Sequence, residues 1–101
     1  MARKYVPEIS KVLTLSTAHI TEKTAELLDK EPDSNYLGLC VYPKSEYGYY
    51  IEIGEYIDQS LKNHIPEDLF IVLAFANSMD CPILCLDNDA VECPFLPTYN
   101  W

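Results

Sequence analysis

Basic residues are few. The chain of 101 residues has seven Lys and Arg against sixteen Asp and Glu, and beyond residue 45 the only base is Lys62. That second half carries the whole net charge of −9, because acids and bases balance in residues 1–45. An acidic half repels phosphate backbones and anionic lipid, so direct binding to nucleic acid or membrane is not expected of it. Glycine is also scarce, with three residues, which fits a globular chain and not a disordered one. Long apolar runs are missing. The longest, Leu69–Ala76, falls well short of the roughly 20 residues of a membrane-spanning helix. Met1–Pro7 has two bases with no apolar run behind them, so no secretory signal is expected. Repeats, linkers and low-complexity segments are lacking too. The expectation is one cytoplasmic domain over residues 1–101, with 88–101 as a tail packed on it.

What is present is a long apolar spine from Pro66 to Asp87. Pro66 suits a first helical position, and Glu67 and Asp68 suit the positive N-terminal end that follows. Leu69–Ala76 continues as a buried helix, and Ile83–Asp87 reads as a buried strand. Earlier in the chain, Glu8–Ser16 alternates with the period of two of a half-buried strand. Thr21 is a natural N-cap for a helix reaching about Lys30, with Ile20, Thr24, Leu27 and Leu28 on one face and Pro32 expected to stop it. Tyr36–Tyr42 and Tyr49–Ile53 alternate around a short polar loop, the pattern of a β-hairpin. Ile57, Leu61 and Ile65 recur at helical spacing. The resulting order, β-α-β-β-α-β, predicts an α+β two-layer sandwich, either ferredoxin-like or a related small fold with a mixed sheet. In the ferredoxin-like form strands one and four run antiparallel.

Four clusters are candidate sites. Ser16, Thr17 and His19 crowd the first strand–helix junction, where a base, a nucleophile and free amides could meet, with Asp87 as a distant carboxylate. No glycine there permits the close approach of a phosphate loop, and capping explains the hydroxyls as well. Asp87-Asn88-Asp89, with Asp80 and Glu92 nearby, has the ligand type for a hard cation but lacks the glycine and terminal glutamate of a calcium loop, so a plain turn is expected. Cys81, Cys85 and Cys93, with His19 or His64, could supply four zinc ligands but lack the paired-knuckle spacing, so reduced structural thiols are expected, Cys40 included, with no metal or cofactor. Finally, Tyr36, Tyr42 and Tyr50 should face outward on the uncovered side of the sheet, beside Glu52. Outward aromatics can stack RNA bases, but stacking platforms come with basic grooves. A protein partner, or a second copy meeting sheet to sheet, fits better.

Three stretches together, Leu15-Ser16-Thr17-Ala18-His19-Ile20-Thr21, Leu86-Asp87-Asn88-Asp89 and Leu96-Pro97-Thr98-Tyr99-Asn100-Trp101, resemble a family of small uncharacterised bacterial proteins. That family is a domain of unknown function, common in gut bacteria and their phages, plasmids and conjugative elements. The resemblance implies a cytoplasmic accessory protein of mobile-element origin and carries over no activity, cofactor or catalytic residue. The leading expectation is a non-enzymatic protein that binds another protein through an acidic, tyrosine-bearing surface. An acidic inhibitor that imitates nucleic acid on a host defence protein is the second, and a small hydrolase or phosphate-binding enzyme using Ser16, Thr17, His19 and Asp87 is the third.

Overall fold

A computed structural model describes residues 7–101. Its elements are β1 (Val12–Ser16), a 3-10 turn (Thr17–His19), α1 (Glu22–Ser34), β2 (Cys40–Pro43), β3 (Gly48–Glu52), a second 3-10 turn (Gln59–Asn63), α2 (Glu67–Ser78) and β4 (Ile83–Asp87). The β-α-β-β-α-β order is as the periodicity predicts, with one four-stranded sheet and two helices. The sheet order is β1-β4-β3-β2. β4 runs parallel to β1 and antiparallel to β3, and β2 is antiparallel to β3. The sheet is therefore mixed, and the antiparallel pairing of first and last strands that a ferredoxin-like sheet requires does not occur.

The parallel pairing follows from how the two helices are joined. Thr21 caps α1: its hydroxyl accepts the Thr24 N–H at 3.2 Å. Asp68, in the first turn of α2, reaches across to the same cap. Its carboxylate accepts the Thr21 N–H at 2.8 Å and the buried Thr24 hydroxyl at 2.9 Å. One negative charge thus serves two positive helix ends, and both helices start at the end of the molecule where β1 finishes. Because α2 leads away from that end to the start of β4, β4 must return in the direction of β1.

Between helices and sheet lies one core. Leu15, Leu84, Leu86, Ile51 and Val41 point from the strands into Ala25 and Leu28 of α1 and Leu69, Val72, Leu73 and Ala76 of α2. A fully buried Leu or Ile of this kind contributes about 1.5–3 kcal/mol. No helix among the described residues is long and apolar enough to cross a membrane.

Several boundaries differ from the sequence expectation for identifiable reasons. β1 begins at Val12 and not Glu8, because its ladder partner β4 offers only Ile83–Asp87. α1 continues through Pro32 to Ser34, held by the Asn35 N–H on the Glu31 carbonyl at 2.9 Å, and Asn35 ends it in the left-handed conformation (φ 50°). Pro66 stands at the N-cap of α2, one position before the helix. β2 starts at Cys40 and not Tyr36, since Gly38 (φ 71°) breaks the extended run. Leu37 is nevertheless buried, because Glu31 pins this loop. The Glu31 side chain is 2% exposed, and its two oxygens accept the N–H groups of Leu37 (2.8 Å) and Leu39 (2.9 Å).

Glu31→Ala strands two buried or half-buried amides at about 1–3 kcal/mol each, and should lower the urea unfolding free energy accordingly. Glu31→Gln keeps one acceptor oxygen but turns an NH2 toward the other amide, so it should recover only part of that loss.

Candidate functional site

Parallel pairing of β1 and β4 makes Ser16 and Asp87 direct neighbours in register. Ser16, Thr17, His19 and Asp87 therefore share one end of the sheet, contrary to the separation that an antiparallel pair would impose. This is also the end where α1 begins. Beside it opens a cleft of about 720 Å3, between α1, the turn joining β2 to β3, and the tail. From α1, Glu22, Glu26 and Asp29 line it; they fall at i, i+4 and i+7, one stripe of the helix. Glu46 comes from the strand-joining turn and Glu92 from the tail. No Lys or Arg is among the lining residues. Aromatic walls come from Tyr47 and Tyr49 on one side and Tyr99 and Trp101 on the other.

Tyr49 ties the cleft to the fold. Its hydroxyl lies 3.1 Å from the Ala25 carbonyl and donates to the Asp29 carboxylate. Burial, and then the charge and hydrogen bond of Asp29, hold this phenol well above the ordinary tyrosine pKa. Gly48 is required where β3 meets β4. Its φ is 154°, and a Cβ there would come within 1.7 Å of the Leu86 carbonyl oxygen.

The nucleophile-and-base constellation does not form. His19 is 2% exposed, and both ring nitrogens are used by the tail: Nδ1 donates to the Pro97 carbonyl and Nε2 accepts the Cys93 N–H, each at 2.8 Å. The tautomer follows, since a nitrogen that accepts an N–H carries no proton of its own. The Ser16 hydroxyl accepts the Ala18 N–H at 3.0 Å and caps the first 3-10 turn. Asp87 pairs with Lys44 and accepts the Asp89 N–H at 2.8 Å, so Asp87-Asn88-Asp89 is a turn. Thr17 lines the cleft. Asp80 precedes β4 and lies at its other end. No group of three or more His, Cys, Asp or Glu suited to a metal occurs among the described residues. All four cysteines are free thiols; Cys81 and Cys85 are buried, Cys93 half-buried and Cys40 exposed.

The tail is a clasp on the β1–α1 junction. Besides the two bonds of His19, the Tyr99 N–H donates to the Ala18 carbonyl and the Trp101 indole N–H to the Ile20 carbonyl, both at 2.8 Å. Two of the three sequence stretches noted above, Leu15–Thr21 and Leu96–Trp101, are thus each other's binding partners, and the second builds a wall of the cleft.

On the sheet face turned away from the helices, Tyr42 and Tyr50 are direct cross-strand partners. The Tyr42 hydroxyl donates to Glu52 at 3.4 Å, and the charge of Glu52, followed by that of Cys40, raises the Tyr42 pKa. Lys44 also lies on this face, 5.7 Å from the centre of the Tyr50 ring and 3.8 Å from the Cys85 sulfur. Tyr36 is not part of it. With β2 starting at Cys40, Tyr36 lies in the preceding loop, stacked on His64 with ring centres 6.2 Å apart and its carbonyl accepting from His64 Nε2 at 3.1 Å.

Two measurements probe this end of the molecule. His19→Ala removes both tail bonds and should cost about 1–3 kcal/mol, with faster proteolysis after residue 92 and altered Trp101 fluorescence. The Lys44–Asp87 pair sets a pH window. The Lys44 hydrogen bond, helped by the Asp89 amide, holds the Asp87 carboxyl below its ordinary pKa, and Asp87 raises that of Lys44. A lowered carboxyl contributes stability above its unfolded value of about 3.9 and loses it as pH falls through the folded value. Lys44 contributes below its unfolded value of about 10.4 and loses it as pH rises through the folded value. Asp87→Asn should therefore flatten the acid limb of the stability curve while leaving the slope near neutrality unchanged.

Comparison with known proteins places this geometry in a family of undefined activity. No curated protein and no solved structure matches the chain. Residues 12–101, from the first residue of β1 to the last of the tail clasp, match the family of unknown function (DUF5983) C-terminal domain, and the chain belongs to that family.

Proposed function

We propose that the protein is a binding module without chemistry of its own, and that it takes a cationic segment of a partner protein in the acidic cleft. The observation that carries this is the lining: five carboxylates around about 720 Å3, with no Lys or Arg among the lining residues and tyrosine and tryptophan rings for walls. Opposite charge steers a basic segment to such a cleft, and a Lys or Arg side chain can lie over an aromatic face. The recognition surface is therefore the acidic, tyrosine-bearing cleft of Tyr47, Tyr49 and Tyr99, in place of the sheet face of Tyr42 and Tyr50. Engagement of His19 by main-chain groups on both nitrogens favours binding over hydrolysis. A cytoplasmic setting goes with this function, where the four free thiols stay reduced.

A second form of the same function is an inhibitor that occupies the nucleic-acid site of a defence protein. The concentration of all net charge in residues 46–101 supports it, as does the resemblance to proteins of mobile elements.

Calorimetric titration with an Arg- and Lys-rich peptide should show binding that weakens as salt is raised. The double variant Glu22→Lys with Glu26→Lys reverses two exposed cleft charges and should weaken binding at least tenfold, about 1.4 kcal/mol, with an unchanged circular dichroism spectrum. Absence of binding, or binding indifferent to both salt and the reversal, would remove the cleft as the site. Competition by DNA or RNA for a captured partner would mark the inhibitor form.

A further inference from the structure

The sheet ends at β1, and among the described residues no main-chain group bonds to the outer side of that strand. Exposed edges are templates for further pairing, and natural sheets guard them with charge, proline, bulges or short length. The opposite edge, β2, has such guards: it is four residues long, ends in Pro43 and is followed by Lys44. β1 has none. It reads Val-Leu-Thr-Leu-Ser, without charge or proline, and its register with β4 is unbroken from Val12↔Ile83 to Ser16↔Asp87, so no bulge twists it away. Apolar surface gathers beside it. Val12 is 46% and Ile9 88% exposed, and Leu13, although on the core side, stays half-buried at the uncovered flank. The tail leaves this edge open, since its bonds are to Ala18, His19 and Ile20, beyond the end of the strand.

We propose that β1 is a contact between two copies of this chain, paired antiparallel about a twofold axis at Thr14 so that two four-stranded sheets become one continuous sheet. The occupant is a second copy because the segment is complementary to itself. With Thr14 opposite Thr14 of the second copy, Leu13 faces its Leu15 on the core side and Val12 faces its Ser16 on the outer side. No residue of Val12–Ser16 is charged, and the chain leaves the extended form at the Thr17–His19 turn, so no like charges meet across the joined ladder. That matters in a chain of net charge −9, and residues 7–21 carry only Glu8 and Lys11, which cancel. Any other pairing surface that includes the cleft would bring carboxylates together. Both clefts lie at the C-terminal ends of β1 and so at opposite ends of the joined strands, leaving each free.

Sedimentation equilibrium of the full chain, from micromolar toward millimolar concentration, tests this. The wild type should reach twice the 11.6 kDa of one chain. Thr14→Lys places two ammonium groups on the axis and should sediment as one chain, with unchanged circular dichroism because Thr14 is exposed. Val12→Lys, also exposed, reads the same edge should Thr14→Lys fail to fold. Tyr42→Lys, on the sheet face, should leave the dimer intact. A wild type that stays monomeric throughout overturns the proposal. So does a dimer that survives the lysine at a folded edge variant, or one that Tyr42→Lys alone dissociates, which would move the contact to the sheet face. Peptide binding by the cleft does not enter any of these outcomes.

Discussion

Asp68 places a carboxylate between two helix N-termini, and the threading of the sheet depends on that shared contact. Each N-terminus carries free N–H groups and a positive dipole end; from the first turn of α2 the Asp68 carboxylate accepts the Thr21 amide and the Thr24 hydroxyl of the α1 end, so one negative charge lies beside both. With α1 and α2 starting side by side, β4 is inserted next to β1 in the same direction. A parallel neighbour brings strand ends together, so Ser16 and Asp87 become partners in register and a shared rim exists from which a cleft can be built. Ligand sites in open sheets gather at such carboxyl ends.

The rim is completed by the tail and not by the sheet. His19 is buried polar surface, and burial of an imidazole without partners is costly; here the two partners are main-chain groups of residues 93 and 97. The same histidine that looks like a base in the sequence is the anchor that sets Tyr99 and Trp101 along the cleft. Charge then separates by face. Glu22, Glu26, Asp29, Glu46 and Glu92 collect in the cleft, while Lys44 turns to the other face and neutralises Asp87. The result is one strongly negative concavity on a molecule whose β1 edge is close to neutral.

Legibility differed with the range of the interaction involved. The strand alternation of β3, the Thr21 cap and the apolar run of α2 depend on neighbours a few residues apart, and each was readable. The length of β1 was overstated because Glu8–Lys11 alternates as well as Val12–Ser16 does, and only the five-residue partner β4 sets the limit. Pro32 was read as a stop, yet near a helix end it removes little, and the Glu31 carbonyl still receives Asn35. The stripe Glu22, Glu26, Asp29 lies at helical spacing but stood out as nothing more than a solvated helix face. Its meaning as a cleft wall required Glu46 and Glu92, which are distant in the chain.

The element order, the buried spine, the Thr21 cap and the acidic balance are thus legible in the sequence alone, because these rest on periodicity, local hydrogen bonding and composition. Tertiary structure alone decided that β4 lies parallel to β1, that both ring nitrogens of His19 bond to the tail, that Tyr36 stacks on His64, and that five carboxylates share one cleft. Each of those depends on hydrogen bonds or proximity between residues tens of positions apart, which no local pattern encodes.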